Sequence, residues 1–291
     1  MRSTHCSAGV VRGPLWTFFN CTPILGPVEF TYLTRVPGPP LDRYVELIWY
    51  ARGQIGHARE LIAPTGSTVA AVVLGAPILQ TPAAGPPFLA TTGFLIGPHD
   101  RPIVNEPTAE THCLGVVTTP VGCRAVLGLE PAGLRGRVTG WAPADRLRDE
   151  LHGTPADMLR QVERTLTIGD TRGTERCALA VDALDEAPAR SIAEIADELG
   201  VSHGHLDREF SRVVGLGPRT LARILRVRRL LHHIDVHGQI GWTELATSLG
   251  WFDQAHLIRD FKRHTGVTPS QYQSSLRRYR PDEVEPGFVP M

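Results

Sequence analysis

The chain has 291 residues, with 42% hydrophobic and 21% charged, which are ordinary fractions for a soluble globular protein with room for two cores. Its 30 Lys+Arg balance 30 Asp+Glu, so overall charge marks no polyanion binder. The five cysteines are odd in number and form no CxxC pair, which excludes a disulfide framework and a structural zinc site.

Residues 1–40 are rich in Pro and Gly and read as an irregular lead-in. The apolar stretch VVRGPLWTFFNCTPILG is interrupted by Arg12, Pro14, Asn20 and Pro23. It is too broken for a membrane span and lacks the regions of a signal peptide, so the expected location is the cytoplasm. From Tyr44 to about Val117 come short apolar runs (YVELIWYA, STVAAVVLG, FLATTGFLIG, THCLGVVTT) separated by Pro and Gly. β-Branched residues and regular punctuation make these strands of a small sandwich or barrel. After Pro120 the spacing becomes helical in VGCRAVLGL, PADRLRDEL, PADMLRQVERTL and TERCALAVDAL.

A connection near residues 186–190 leads to an entirely helical region. Ser191 and Glu194 have the spacing of a capping box, and Ser202 stands ready to cap the next helix. Pro218 suits the first turn of a long helix reaching about Asp235. Over these 18 residues such a helix rises about 27 Å. Leu221, Ile224, Leu225, Leu231 and Ile234 form its apolar stripe, and Arg219, Arg223, Arg226 and Arg229 fall largely elsewhere.

The C-terminal region repeats itself. Ile195, Ala196, Leu199 and Gly200 meet Leu245, Ala246, Leu249 and Gly250 at an offset of 50. After an insertion placed near Ala255, His205, Leu206, Arg208, Phe210, Arg212, Gly215 and Pro218 meet His256, Leu257, Arg259, Phe261, Arg263, Gly266 and Pro269 at an offset of 51. Each copy reads as helix, Gly turn, helix, with Asp253 as the cap of the later helix. This is a helix-turn-helix, which presents its second helix to the DNA major groove. Leu206 with Phe210, and Leu257 with Phe261, pin one side of each second helix to a core. The free side holds His203, Gly204, Asp207 and Arg208 in the first copy, and Gln254, Ala255, Ile258, Arg259 and Lys262 in the second. Arg donates to guanine, Gln reads adenine, Asp accepts from cytosine, and Ala and Ile meet thymine methyls. Arg212, Arg259, Lys262 and Arg263 are further candidates for phosphate or base contacts. Charge supports this division, because residues 190–280 carry 14 Lys+Arg against 9 Asp+Glu, and the remainder 16 against 21.

Residues 190–280, above all LGWFDQAHLIRDFKRHTGVTPSQY, resemble the DNA-binding domain of the AraC/XylS family of bacterial transcription regulators. The resemblance implies seven helices, with recognition helices near 203–212 and 253–263. It implies base- and phosphate-facing positions at Gly204, Asp207, Arg208, Gln254, Ala255, His256, Ile258 and Arg259. Gly204, Gly241 (where Ser or Thr commonly caps), Asp207 and Asp260 depart from the pattern, the two carboxylates being expected near phosphates. YVELIWY, LIGPHDRP and GVVTTPVGCRAVLGL resemble, more loosely, the family's β-rich, often cupin-like regulatory domains.

The expectation is therefore an α+β chain. An irregular lead-in (1–29) precedes a β-rich regulatory domain with C-terminal helices (30–185), a double helix-turn-helix domain (186–280) and a flexible tail (281–291). Its function is expected to be that of a transcription regulator, activator or repressor. Double-stranded DNA and RNA polymerase are its partners, with a small-molecule effector or homodimerisation acting through the first domain. No metal, cofactor or membrane is expected, because His57, His99 and His112 are isolated in sequence. Two other classes stay open. Some members of the family join this domain to a thiol methyl-acceptor for DNA repair. His112-Cys113 is the one adjacent pair for that chemistry, and a strand would turn the two side chains to opposite faces. The other class is a helical protein-interaction module without DNA binding.

Overall fold

The computed structural model describes residues 30–234, 238, 240–278 and 287–291. The expected lead-in over 1–29 and Asp235 lie outside them. Nine strands come first, namely β1 (Thr31–Arg35), β2 (Val45–Gly53), β3 (Glu60–Ile62), β4 (Val69–Val73), β5 (Ile78–Thr81), β6 (Phe88–Ala90), β7 (Gly93–Ile96), β8 (Ile103–Pro107) and β9 (Thr111–Thr118). Then come α1 (Gly122–Leu127), α2 (Pro131–Leu134), β10 (Val138–Thr139), α3 (Pro143–Glu150), α4 (Pro155–Thr165) and α5 (Thr174–Glu186). The C-terminal part holds α6 (Ile192–Glu198), α7 (His203–Val213), α8 (Pro218–His233), α9 (Trp242–Ser248), α10 (Gln254–Thr265), α11 (Pro269–Leu276) and β11 (Phe288–Pro290).

The strands make a two-sheet sandwich. One sheet runs β1-β2-β9-β4-β7-β10 and the other β11-β3-β8-β5-β6, antiparallel throughout. Ala71, Val73, Ile78, Phe94, Ile103 and Cys113 fill the space between them. β2 and β9 pair closely enough that a Cβ on Gly115 would lie 2.4 Å from the Trp49 ring. The outer face of the larger sheet is covered too. Ile48, Tyr50, Leu114 and Val116 pack on Met158, Leu159 and Val162 of α4, whose start carries a complete capping box from Thr154 and Asp157. Strands buried on both faces read as the continuous apolar runs seen in the sequence.

Several expectations are corrected. β1 lies inside the stretch read as irregular, and β10 inside the stretch read as helical. α5 was assigned to the regulatory domain, but its Cys177, Ala180 and Leu184 share one core with Ile195, Leu206, Phe210, Leu221 and Ile224. The division at residue 186 therefore cuts through a packed unit. Of the expected tail, 281–286 lies outside the described residues, and in the rest β11 pairs with β3 at the sandwich edge, Val289 opposite Leu61. Among the described residues no helix is long and apolar enough to cross a membrane.

Candidate nucleic-acid interface

In the first unit, α6 ends at a tight turn where Gly200 takes φ +68°, and α7 starts at Ser202. The Ser202 hydroxyl accepts from the His205 amide at 3.2 Å. In the second, α9 ends at Gly250, φ +83°, and Asp253 Oδ1 accepts from the His256 amide at 2.6 Å. Both turns need the left-handed backbone that glycine supplies without strain. Leu206, Phe210, Leu257 and Phe261 are fully buried. α8 joins the units. It has 16 residues from Pro218, two fewer than expected, and so rises about 24 Å. The roughly 34 Å between successive major-groove faces is of the same order.

The apolar pins fix which way each recognition helix faces. His203, Gly204, Asp207, Arg208 and Arg212 of α7 are exposed, as are Ala255, Arg259, Lys262 and Arg263 of α10; Gln254, His256 and Ile258 are half-buried. The Thr243 hydroxyl donates to Gln254 Oε1 at 3.2 Å, which holds that amide at the start of α10.

Four sequence readings change in three dimensions. Asp260 does not face phosphates. It is buried, accepts from Trp251 Nε1 at 3.0 Å and lies 3.4 Å from His256 Nε2. Ser191 begins α6 without the expected side-chain cap, and Gly241 begins α9 with none. Much of the α8 charge is structural. Arg226 donates to Pro188 O at 3.0 Å and lies over the Trp251 ring, Arg229 donates to Asp185 O, and Arg228 reaches Glu46 at 3.1 Å. Arg263 pairs with Asp100 of the sandwich at 2.6 Å, so part of its guanidinium is already engaged although it stays exposed beside Arg259 and Lys262.

That last contact belongs to an interdomain joint that the sequence did not reveal. His264 Nδ1 donates to Asp100 O at 2.8 Å, and His99 Nδ1 to Gly97 O at 2.9 Å. The Nε2 atoms of both rings are buried without a hydrogen-bond partner. Burial holds both imidazoles below the usual histidine range, against the pull of Asp100. The Asp100 carboxyl is lowered despite desolvation, through its bond to Arg263. Beside the joint, α10 and the sandwich border an open groove of about 530 Å³ lined by Arg101, Pro102, Ile258, Arg259, Lys262 and Arg263. Leu61, Ala63 and Val289 complete the contact by joining the second unit's core around Phe261.

A second feature missed in the sequence is a polar row across the smaller sheet. Glu60, Asn105 and Gln80 stand opposite one another on β3, β8 and β5. Asn105 donates to Glu60 at 2.9 Å, Gln80 donates to Asn105 at 3.1 Å, and His57 Nε2 lies 3.2 Å from Glu60. His112 and Cys113 point to opposite sides of β9, as strand geometry requires. The Tyr50 hydroxyl lies 3.2 Å from His112 Nε2. Desolvation pushes the Cys113 thiol up to about 12, Cys123 to about 11 and Cys177 to about 12. A nucleophilic thiol needs the opposite shift.

Two N-capped recognition helices, each braced by a Gly-turned partner and both fixed to one connecting helix, define a double helix-turn-helix protein. The family model described as "Helix-turn-helix domain" matches residues 195–275, and "Domain of unknown function (DUF6597)" matches residues 33–139. The C-terminal domain is thus a helix-turn-helix domain of the AraC type, and the chain is a DNA-binding transcription regulator. No curated protein matches it. Among solved structures, ToxT from Vibrio cholerae is 12% identical, with 84% of this chain and 98% of that one covered at a TM-score of 0.44. A transcriptional regulator with an AraC-type DNA-binding domain from Chromobacterium violaceum is 21% identical, covering 38% of this chain and 99% of its own at 0.33. A DNA-binding transcriptional dual regulator from Escherichia coli K-12 is 24% identical, covering 36% and 94% at 0.32.

Proposed function

We propose that α7 and α10 enter successive major-groove segments of one duplex, and that the sandwich governs whether α10 is free to do so. The observation that carries this reading is the repeated geometry: two capped helices, buried through the same Leu and Phe positions, at either end of α8. Arg208 and Arg259 are placed to donate to guanine or phosphate, Gln254 to read adenine, and His203, Asp207, Arg212 and Lys262 to complete the polar contacts. His256 orients the start of α10 through Asp260. Arg263 joins the interface once Asp100 lets go.

Control enters through the joint. A cleft of about 340 Å³ opens onto His99, Asp100 and Arg101, where a small effector would reach the Arg263 pair directly. Homodimerisation through the sandwich, contact with RNA polymerase at a promoter and action in the cytoplasm complete the reading.

Arg259→Ala is expected to weaken binding of a duplex selected from a random pool by about tenfold, and to lower the salt slope by about 1 if the lost contact is to phosphate. Fluorescence anisotropy across a salt titration measures both. Unchanged affinity and slope would remove α10 from the groove. Absence of duplex binding even at low salt would leave a helical protein-interaction module.

A further inference from the structure

The two units differ by one inserted residue, and the backbone shows where it sits. The Val201 amide donates to Ala196 O at 3.0 Å and the Trp251 amide to Ala246 O at 2.8 Å, equivalent bonds at the earlier offset. The caps Ser202 and Asp253 already stand at the later offset. The extra residue is therefore Phe252, three positions before the site near Ala255 read from the sequence. Its side chain is 91% exposed; no other large apolar side chain among the described residues exceeds 53%.

Phe252 immediately precedes Asp253, the cap of α10, and the N-terminal residues of a recognition helix are those that contact base edges. Within the helix, Ala255 and Ile258 at three-residue spacing share one side, and the exposed Phe252 stands immediately ahead of the cap Asp253. Arg259 and Lys262 are exposed on the following turns, so the apolar edge is continuous with a cationic one. That combination suits a duplex, whose groove offers one apolar feature, the thymine C5-methyl, between phosphate walls. The corresponding edge of α7 is polar, with His203, Asp207 and Arg208 exposed.

We propose that Phe252, with Ala255 and Ile258, packs against thymine C5-methyl groups, making the second half-site thymine-rich while α7 reads the first through hydrogen bonds. The proposal rests on the docking of α10 described above, and its test separates the two. Duplexes selected from a random pool by the full chain are remade with deoxyuridine in place of thymine, one position at a time. This removes a methyl and leaves every hydrogen-bonding atom.

The expected result is one or two positions in the second half-site where uridine weakens wild-type binding by about threefold to fivefold, the burial of one methyl group. Phe252→Ala, folded because the side chain is solvent-exposed, binds thymine and uridine duplexes equally there, and Phe252→Tyr keeps the discrimination. Normal duplex binding without thymine preference, or a preference that Phe252→Ala leaves intact, overturns the proposal and leaves α10 docking standing. Failure of the wild-type chain to bind any duplex overturns both. Unaltered DNA binding by Phe252→Ala, together with weakened retention of purified RNA polymerase, assigns the aromatic to a protein contact instead and also overturns it.

Discussion

Replacing Arg228 with methionine is expected to lower the unfolding free energy by about 3–5 kcal/mol, the effect of leaving a buried charge without its partner. Arg228 lies on α8 and ties the connecting helix to the sandwich. It donates to Glu46 Oε1 at 3.1 Å and to Thr65 O at 3.0 Å, and only 15% and 11% of the Arg228 and Glu46 side chains remain exposed. Desolvation already raises the Glu46 carboxyl, against the lowering by Arg228. Without the guanidinium only the raising influences remain. The second substitution Glu46→Leu is expected to return most of the loss, because an apolar pair fills such a site without desolvating charge. Chemical denaturation of the two variants decides the matter, and equal instability of single and double variants would mean that packing, not charge, holds the joint. The pH dependence has a definite sign. A carboxyl raised in the folded state contributes stability below its unfolded value that is lost as pH rises through the folded value. The deficit of Arg228→Met is therefore expected to shrink as pH falls from about 7.5 toward about 5.

The pair also shows where sequence reading stops. The helix-turn-helix units were legible because their determinants are local: Leu and Phe four residues apart, a glycine in the left-handed turn, and a polar cap just ahead of the helix. β2, β4, β7 and β9 were legible because burial on both faces leaves uninterrupted apolar runs. β3, β5 and β8 were not, because Glu60, Gln80 and Asn105 break the apolar pattern with polar groups that satisfy one another across the sheet. β10 and β11 have two and three residues, and their pairing partners are remote in sequence, so periodicity has nothing to register.

At the site, residue type was legible and partnership was not. Arg219 and Arg223 are exposed, whereas Arg226 and Arg229 are taken up by backbone carbonyls of Pro188 and Asp185. Nothing in the spacing of four arginines on one helix distinguishes these pairs. Asp260 reads as a misplaced charge on a reading head because its partner, Trp251 Nε1, lies in the turn before the helix, and no spacing rule pairs the two. The inserted residue of the second unit could be placed only by matching caps and turn hydrogen bonds, since sequence identity resumes several residues later. The α5 helix was legible, but the core it enters depends on where the chain turns after α4.

Charge reversal at the joint is the second large effect, with Asp100→Arg expected to raise affinity for duplex DNA at least about tenfold near pH 7.5, since like charges in contact cost several kcal/mol. The new guanidinium would face Arg101, Arg263 and His264 in place of the Asp100 carboxylate, which Arg263 now pairs with and holds below its usual range. Apparent affinity equals intrinsic affinity scaled by the fraction of molecules able to bind, so opening the groove beside Arg259 and Lys262 tightens binding, and the release of Arg263 to the duplex adds to it. Acidification should act on the same joint. His99 and His264 are depressed chiefly by burial and carry hydrogen on Nδ1, where a backbone carbonyl accepts it. A second proton would sit on an Nε2 that has no acceptor. Asp100, Asp260 and Arg263 also act on the two rings, and burial outweighs the raising pull of the carboxylates. Depressed groups contribute stability that is present above about 6.5, their unfolded value, and lost as pH falls through the folded one. The closed joint is therefore expected to weaken between pH 7.5 and about 5.5, and the affinity gap between wild type and Asp100→Arg to narrow over that window. Parallel binding curves for the two chains at every pH would show that the sandwich places no restraint on α10.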